Sequence, residues 1–154
     1  MGVIGILFVC HGNICRSPMA EYIFKDMARR AGVSERFCVS SAATSREEIG
    51  NPVYPPARRI LAQHGIGCEG HRARQMTRDD YAFYDKIILM ENYNIKNALA
   101  LLGGDQLGKL SLLLDHAGKR GAEIDDPWYT GDFKTAYAQI EEGCAGLLKE
   151  LLSK

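Results

Sequence analysis

Apolar residues follow two rhythms along this chain. Four short runs rich in apolar side chains, Gly5–Val9, Phe37–Ser41, Lys86–Met90 and Lys109–Leu113, have the length of buried strands. Between them, apolar residues recur at helical spacing. Ala20, Ile23, Phe24, Met27, Ala28 and Ala31 form one stripe on a predicted helix from Pro18 to Ala31, with Pro18 in its first turn and Gly32 just past its end. A second helix carries Ala57, Ile60 and Leu61 between the prolines of Asn51-Pro52 and Pro55-Pro56 and the stop at Gly65. A third runs through Ile95, Ala98, Leu99 and Leu102 to Gly103. Phe133, Ala136, Tyr137, Ile140, Cys144, Leu147, Leu148 and Leu151 mark a long amphipathic C-terminal helix. Strands alternating with helices predict an α/β fold, a doubly wound four-stranded parallel sheet flanked by helices. No repeat, low-complexity run or linker divides residues 1–154, so one domain is expected.

Composition narrows the function classes. Of 154 residues, 46% are hydrophobic and 25% charged, as in a soluble globular protein. Lys plus Arg and Asp plus Glu each number 19, and this balance excludes a general nucleic-acid or anionic-membrane binder. The apolar stretch Val3–Val9 is too short to span a bilayer and has no Lys or Arg before it, so neither membrane insertion nor a signal peptide is expected. Ile6 also breaks the myristoylation pattern that Gly2 would open. Five scattered cysteines form no paired CxxC motif and read as thiols in a reducing compartment, the cytoplasm.

One segment carries concentrated chemistry. Cys10-His11-Gly12-Asn13-Ile14-Cys15-Arg16-Ser17-Pro18 is a Cys-x5-Arg loop between a predicted strand and a helix N-terminus. In a parallel sheet, ligands bind beyond the carboxyl ends of the strands, where this loop lies. Successive backbone N–H groups in such a turn make an anion nest, and the helix behind adds partial positive charge. The same field favours a thiolate, making Cys10 the candidate nucleophile. Gly12 permits backbone angles closed to other residues, and Asn13 tolerates the left-handed region. Arg16 offers a planar fork for two phosphoryl oxygens. Transfer of a phosphoryl group also needs an acid for the leaving oxygen. Asp126, in Asp125-Asp126-Pro127-Trp128-Tyr129, is the candidate, although Asp-Pro alone is commonly a turn former. Trp128 and Tyr129 beside it are suited to wall an aryl phosphate.

With these residues in view, the chain resembles the low-molecular-weight protein tyrosine phosphatases, from Ile4 to the C-terminal helix. Both motifs, Val9 to Pro18 and Asp126 to Tyr129, stand in the family's order. The resemblance implies a metal-free reaction without cofactor on phosphotyrosine proteins: Cys10 forms a phosphocysteine, and Asp126 protonates the leaving phenol and then activates water. It matches Ser17 to a hydroxyl that hydrogen-bonds the thiolate, and Asn13, Ser41 and His71 to side chains that hold the loop's shape. Cys15 matches a partner cysteine able to form a reversible disulfide with the nucleophile. His11, within the loop, and His64 and His116 have no matching role and read as surface or packing residues, with no metal site. The family often places an aromatic residue where Glu47 stands here, in Ser45-Arg46-Glu47-Glu48-Ile49, so one substrate wall is charged; Met90-Glu91 replaces Met-Asp. A monomer is expected.

Three alternatives stay open at this level. Arsenate reductases of similar fold carry a further cysteine pair near mid-chain, where this sequence has Cys68 with no close partner. Protein arginine phosphatases carry Thr where this chain has Ile14, an apolar side chain that favours an aryl phosphate. A non-catalytic phosphocysteine carrier would need to resist hydrolysis, against which the presence of both Arg16 and Asp126 argues.

Overall fold

In the computed structural model, which describes residues 2–154, four strands form one parallel sheet in the order β2-β1-β3-β4. They are β1 (Ile4–Cys10), β2 (Phe37–Ala43), β3 (Lys86–Leu89) and β4 (Leu110–Leu112). The helices are α1 (Arg16–Arg30), α2 (Pro55–Gln63), α3 (Arg78–Phe83), α4 (Asn92–Leu102), α5 (Pro127–Thr130) and α6 (Phe133–Leu152).

The apolar run of β1 follows from its place inside the sheet. Ile6, Phe8 and Cys10 face a core shared with α1, α2 and α6, whereas Leu7 and Val9 face one built with Ile87, Leu89 and Ala98. With both faces covered, alternation gives way to a continuous buried stretch. All residues from Gly5 to Cys10 are buried, which fixes the strand end where the loop begins.

The predicted elements are present, with shifted boundaries. Helix α1 starts two residues earlier than the Pro18 expectation, at Arg16. Pro18 still sits in the first turn, where a missing N–H leaves no gap in the ladder. Strand β2 runs on to Ala43 because Ala42 and Ala43 pair with Val9 and Cys10, although alanine is a poor strand former. Helix α3 was not expected: at six residues it is too short to show a period, and a Thr77–Asp80 capping box holds it. The Asp126 segment is also more ordered than a loop, since Asp126 caps the single turn of α5 by accepting from Trp128 N at 3.0 Å.

Helix α6 packs closely on the 3-10 turn Leu113–Ala117. An added Cβ would fall 2.4 Å from Leu113 Cγ at Gly143 and 2.2 Å from the His116 carbonyl oxygen at Gly146. His116 is part of this seam, with Ser111 Oγ at 2.8 Å from one ring nitrogen and Glu150 Oε1 at 3.0 Å from the other.

Candidate active site

The Cys-x5-Arg loop joins the buried end of β1 to the first residue of α1. Its turn is made at Asn13, the one non-glycine residue with positive φ (60°) among the described residues. Asn13 is wholly buried, and its polar atoms are engaged. Its carbonyl accepts from His71 Nε2 at 2.8 Å, and its Oδ1 accepts from Arg74 N at 3.1 Å. Its Nδ2 donates to Ser17 Oγ at 2.8 Å and Ser41 Oγ at 3.0 Å. The backbone N–H of Arg74 fixes which end of the amide is oxygen.

A chain of proton directions follows. Ser41 Oγ lies 2.6 Å from Glu21 Oε1, and a carboxylate there can only accept, so the serine donates its proton to Glu21. Ser41 therefore receives from Asn13, and so does Ser17 Oγ. Ser17 Oγ lies 3.0 Å from Cys10 Sγ, to which its proton turns when the sulfur is a thiolate, with the Ala42 carbonyl farther off at 3.5 Å. The sulfur also receives the backbone N–H groups of Asn13 at 3.3 Å and Ser17 at 3.4 Å. No side chain caps α1, and its Ser17 amide points to the Cys10 sulfur instead. Glu21 is itself buried, and Lys25 Nζ meets its other oxygen at 2.6 Å.

Arg16 is buried beneath the loop. Its Nη1 donates to Glu91 and to the Ile124 carbonyl at 2.9 Å, and its Nη2 donates to Asp126 Oδ2 at 3.2 Å. Burial works against its charge, but Cys10, Asp126 and Glu91 more than offset it, so the guanidinium is held charged. Burial, with Cys10 and Asp126 nearby, pushes the Cys15 thiol far above the ordinary thiol range despite Arg16. All five cysteines are free thiols.

A cavity of about 200 Å³ opens over this loop. Cys10, His11, Gly12, Ile14, Cys15 and Arg16 form its floor, and Glu47, Asp126, Trp128 and Tyr129 its sides. Thus Asp126, far along the chain, meets the Cys10 loop, and Glu47 lines the same cavity as the exposed aromatic pair. Asn13, Ser17, Ser41 and His71 lie behind the loop in the network described above. His71 is buried. His11 faces the cavity and pairs through Nε2 with Glu47.

Several residues of the site gave little sequence signal. Glu21, Arg74 and Glu48 are charged residues in ordinary surface-like contexts. Tyr54 lies against Trp128 with ring centroids 4.8 Å apart and planes tilted by 53°, and its backbone N–H donates to the Ile14 carbonyl at 2.9 Å. Its place before Pro55-Pro56 reads only as a helix start. Among the described residues, no group of three or more His, Cys, Asp or Glu gathers into a metal site, and no helix is long and apolar enough to cross a membrane.

Comparisons with known proteins agree with this arrangement. The family model "Low molecular weight phosphotyrosine protein phosphatase" matches residues 5–154. The low molecular weight protein-tyrosine-phosphatase YfkJ of Bacillus subtilis is 38% identical over 150 residues, covering 97% of this chain and 96% of that protein. Its crystal structure superposes with a TM-score of 0.95 over 99% of this chain and 97% of that one, at 36% identity. The human low molecular weight phosphotyrosine protein phosphatase is 38% identical, with 94% of each chain covered. A Drosophila arginine phosphatase also shares the fold, with a TM-score of 0.85 and 31% identity over 95% of this chain and 96% of its own. Full-length matches of this kind, on a chain whose Cys-x5-Arg loop and distant Asp126 meet in one cavity, lead to one assignment: the chain belongs to the low molecular weight phosphotyrosine protein phosphatase family.

Proposed function

We propose that this protein hydrolyses phosphotyrosine in proteins through a phosphocysteine intermediate, with Cys10 as nucleophile, Arg16 as phosphate clamp and Asp126 as acid and base. The observation that carries this reading is the convergence on one small cavity of a sulfur facing three donors, a buried guanidinium and a carboxyl group. In the first step the Cys10 sulfur lone pair forms the P–S bond as the P–O bond to the phenol breaks, and Asp126 supplies the proton the phenolate needs. In the second step Asp126, now a carboxylate, takes a proton from water as its oxygen attacks phosphorus. The S–P bond breaks and returns the thiolate.

The contacts of Arg16 suit the clamp. Glu91 and the Ile124 carbonyl take the Nη1 protons, and Asp126 takes one at Nη2. The N–H of Nε and the other N–H of Nη2 have no partner among the described residues and are free for phosphoryl oxygens. Ile14, Trp128 and Tyr129 supply apolar and aromatic surface for an aryl group. The whole chain acts as one catalytic domain in this reading, without a cofactor.

The test is turnover of p-nitrophenyl phosphate and a phosphotyrosine peptide beside a phosphoarginine peptide, by wild type and Cys10→Ser. Both aryl substrates are expected to be hydrolysed, with phosphate trapped on the wild-type protein by acid quench and no turnover by Cys10→Ser. Faster hydrolysis of the phosphoarginine peptide, or activity of Cys10→Ser within tenfold of wild type, would overturn the reading.

A further inference from the structure

The mouth of the cavity carries more negative charge than a phosphate pocket needs. Glu47 and Glu48 both line it, and neither has a Lys or Arg partner among the described residues. Arg46, next to them in sequence, does not line the cavity. The guanidinium of Arg16 lies deeper and is already flanked by Asp126 and Glu91. The two glutamates are also held in position. His11 pairs with Glu47 from the loop floor, and the backbone N–H of Ser45 donates to the His11 carbonyl at 3.1 Å. The stem of Glu48 lies against Gly12, with its Cγ 3.3 Å from where a Cβ would stand. The exposed rings of Trp128 and Tyr129 line the same cavity.

Carboxylates and aromatic faces lining one cavity make a place for a cation, above all a planar guanidinium. The phosphate cannot use these carboxylates, which repel it. We propose that Glu47 and Glu48 select phosphotyrosine segments with a basic residue, arginine foremost, beside the phosphotyrosine, and discriminate against acidic neighbours. This rests on the phosphotyrosine phosphatase reading above and adds the charge of the flanking sequence.

The experiment uses three phosphotyrosine peptides that differ only in the residues on either side of the phosphotyrosine: Arg, Ala or Glu. At low salt, kcat/KM for the Arg peptide should exceed that for the Glu peptide by about tenfold, carried by KM, and the gap should shrink at high salt as screening grows. In the Glu47→Gln, Glu48→Gln double variant the Arg-to-Glu ratio should fall to within about twofold of unity. Thermal melting checks that this variant is folded. If the Ala peptide is hydrolysed but flanking charge makes no difference, or the preference survives in the double variant, the proposal is wrong and the phosphatase reading stands. If none of the three peptides is hydrolysed, both fall.

Discussion

Asn13 is the residue on which the shape of the anion loop turns. Its left-handed backbone is tolerable for asparagine, and three of its polar atoms tie the loop to α1, β2 and the segment carrying His71 and Arg74. Asn13→Ala should lose both the backbone preference and the donors, lowering stability by roughly 2–3 kcal/mol and kcat at least tenfold. Asn13→Gly relieves the backbone but restores no donor, so in urea melts it should recover stability while its kcat stays low. The proton order from Glu21 through Ser41 and Asn13 to Ser17 gives a second expectation. In Glu21→Leu, Ser41 loses its acceptor and holds the Asn13 amide less firmly, and the contact of Ser17 with the sulfur loosens through that amide. Alkylation of Cys10 by iodoacetamide at mildly acidic pH should slow by about threefold or more. Ser41→Ala should do the same, and the two changes together should not add, since both act through one chain of bonds. The loop itself was legible because its parts are contiguous. Glu21 was not, since a glutamate on a helix reads as solvated until the fold sets Ser41 beside it.

At the scale of elements, the Asp126 turn and the Cys10–Arg16 loop meet although they lie far apart in sequence. The pattern Asp-Pro-Trp-Tyr flagged this segment, and Asp126 rather than Asp125 caps α5 and reaches Arg16. Asp125 is exposed, its backbone N–H bound to Gln139. Asp126→Asn should therefore slow phosphotyrosine hydrolysis by roughly a hundredfold, and p-nitrophenyl phosphate hydrolysis less, because p-nitrophenolate leaves without a proton. Asp125→Asn should leave that ratio unchanged. Measuring both substrates on both variants decides the matter, and a reversed pattern would make Asp125 the acid. Strands and long helices were legible from periodicity, because burial on both faces of β1 and one stripe of α1 leave a sequence imprint. Helix α3 and the Asp126 turn were not, since one or two turns contain too few residues to show a period.

The whole molecule carries its own pH dependence. Burial alone would raise Asp105, but bonds from Tyr81 Oη at 2.6 Å, Lys109 N at 2.8 Å and Leu110 N at 3.2 Å outweigh it and hold the carboxyl below its ordinary value. Glu150 is held low in the same manner: burial opposes, and the His116 bond prevails. A carboxyl depressed in the folded state contributes stability that is complete above its unfolded value and lost as pH falls through the folded one. The melting temperature should thus drop on acidification below the ordinary values of 3.8 and 4.5 for these groups. Asp105→Asn and Glu150→Gln should start lower at neutral pH and lose less on acidification. An equal loss in wild type and both variants would show that these carboxyls do not set the acid limb.

The order in which the chain emerges during synthesis interacts with the sheet order. Strand β1 is made first, yet the core over its Cys10 face includes Ile140, Cys144, Leu147 and Leu151 of α6, which are made last. At the glycine seam, α6 lies so close to the Leu113–Ala117 turn that neither Gly143 nor Gly146 leaves room for a Cβ. A nascent chain that has been made only as far as Ile124 has Cys10, its loop and Arg16, but neither Asp126 nor the α6 residues of the core. Stalled ribosomes carrying such chains should show no phosphatase activity, which should appear only once the chain is extended through α6 and clear of the ribosome.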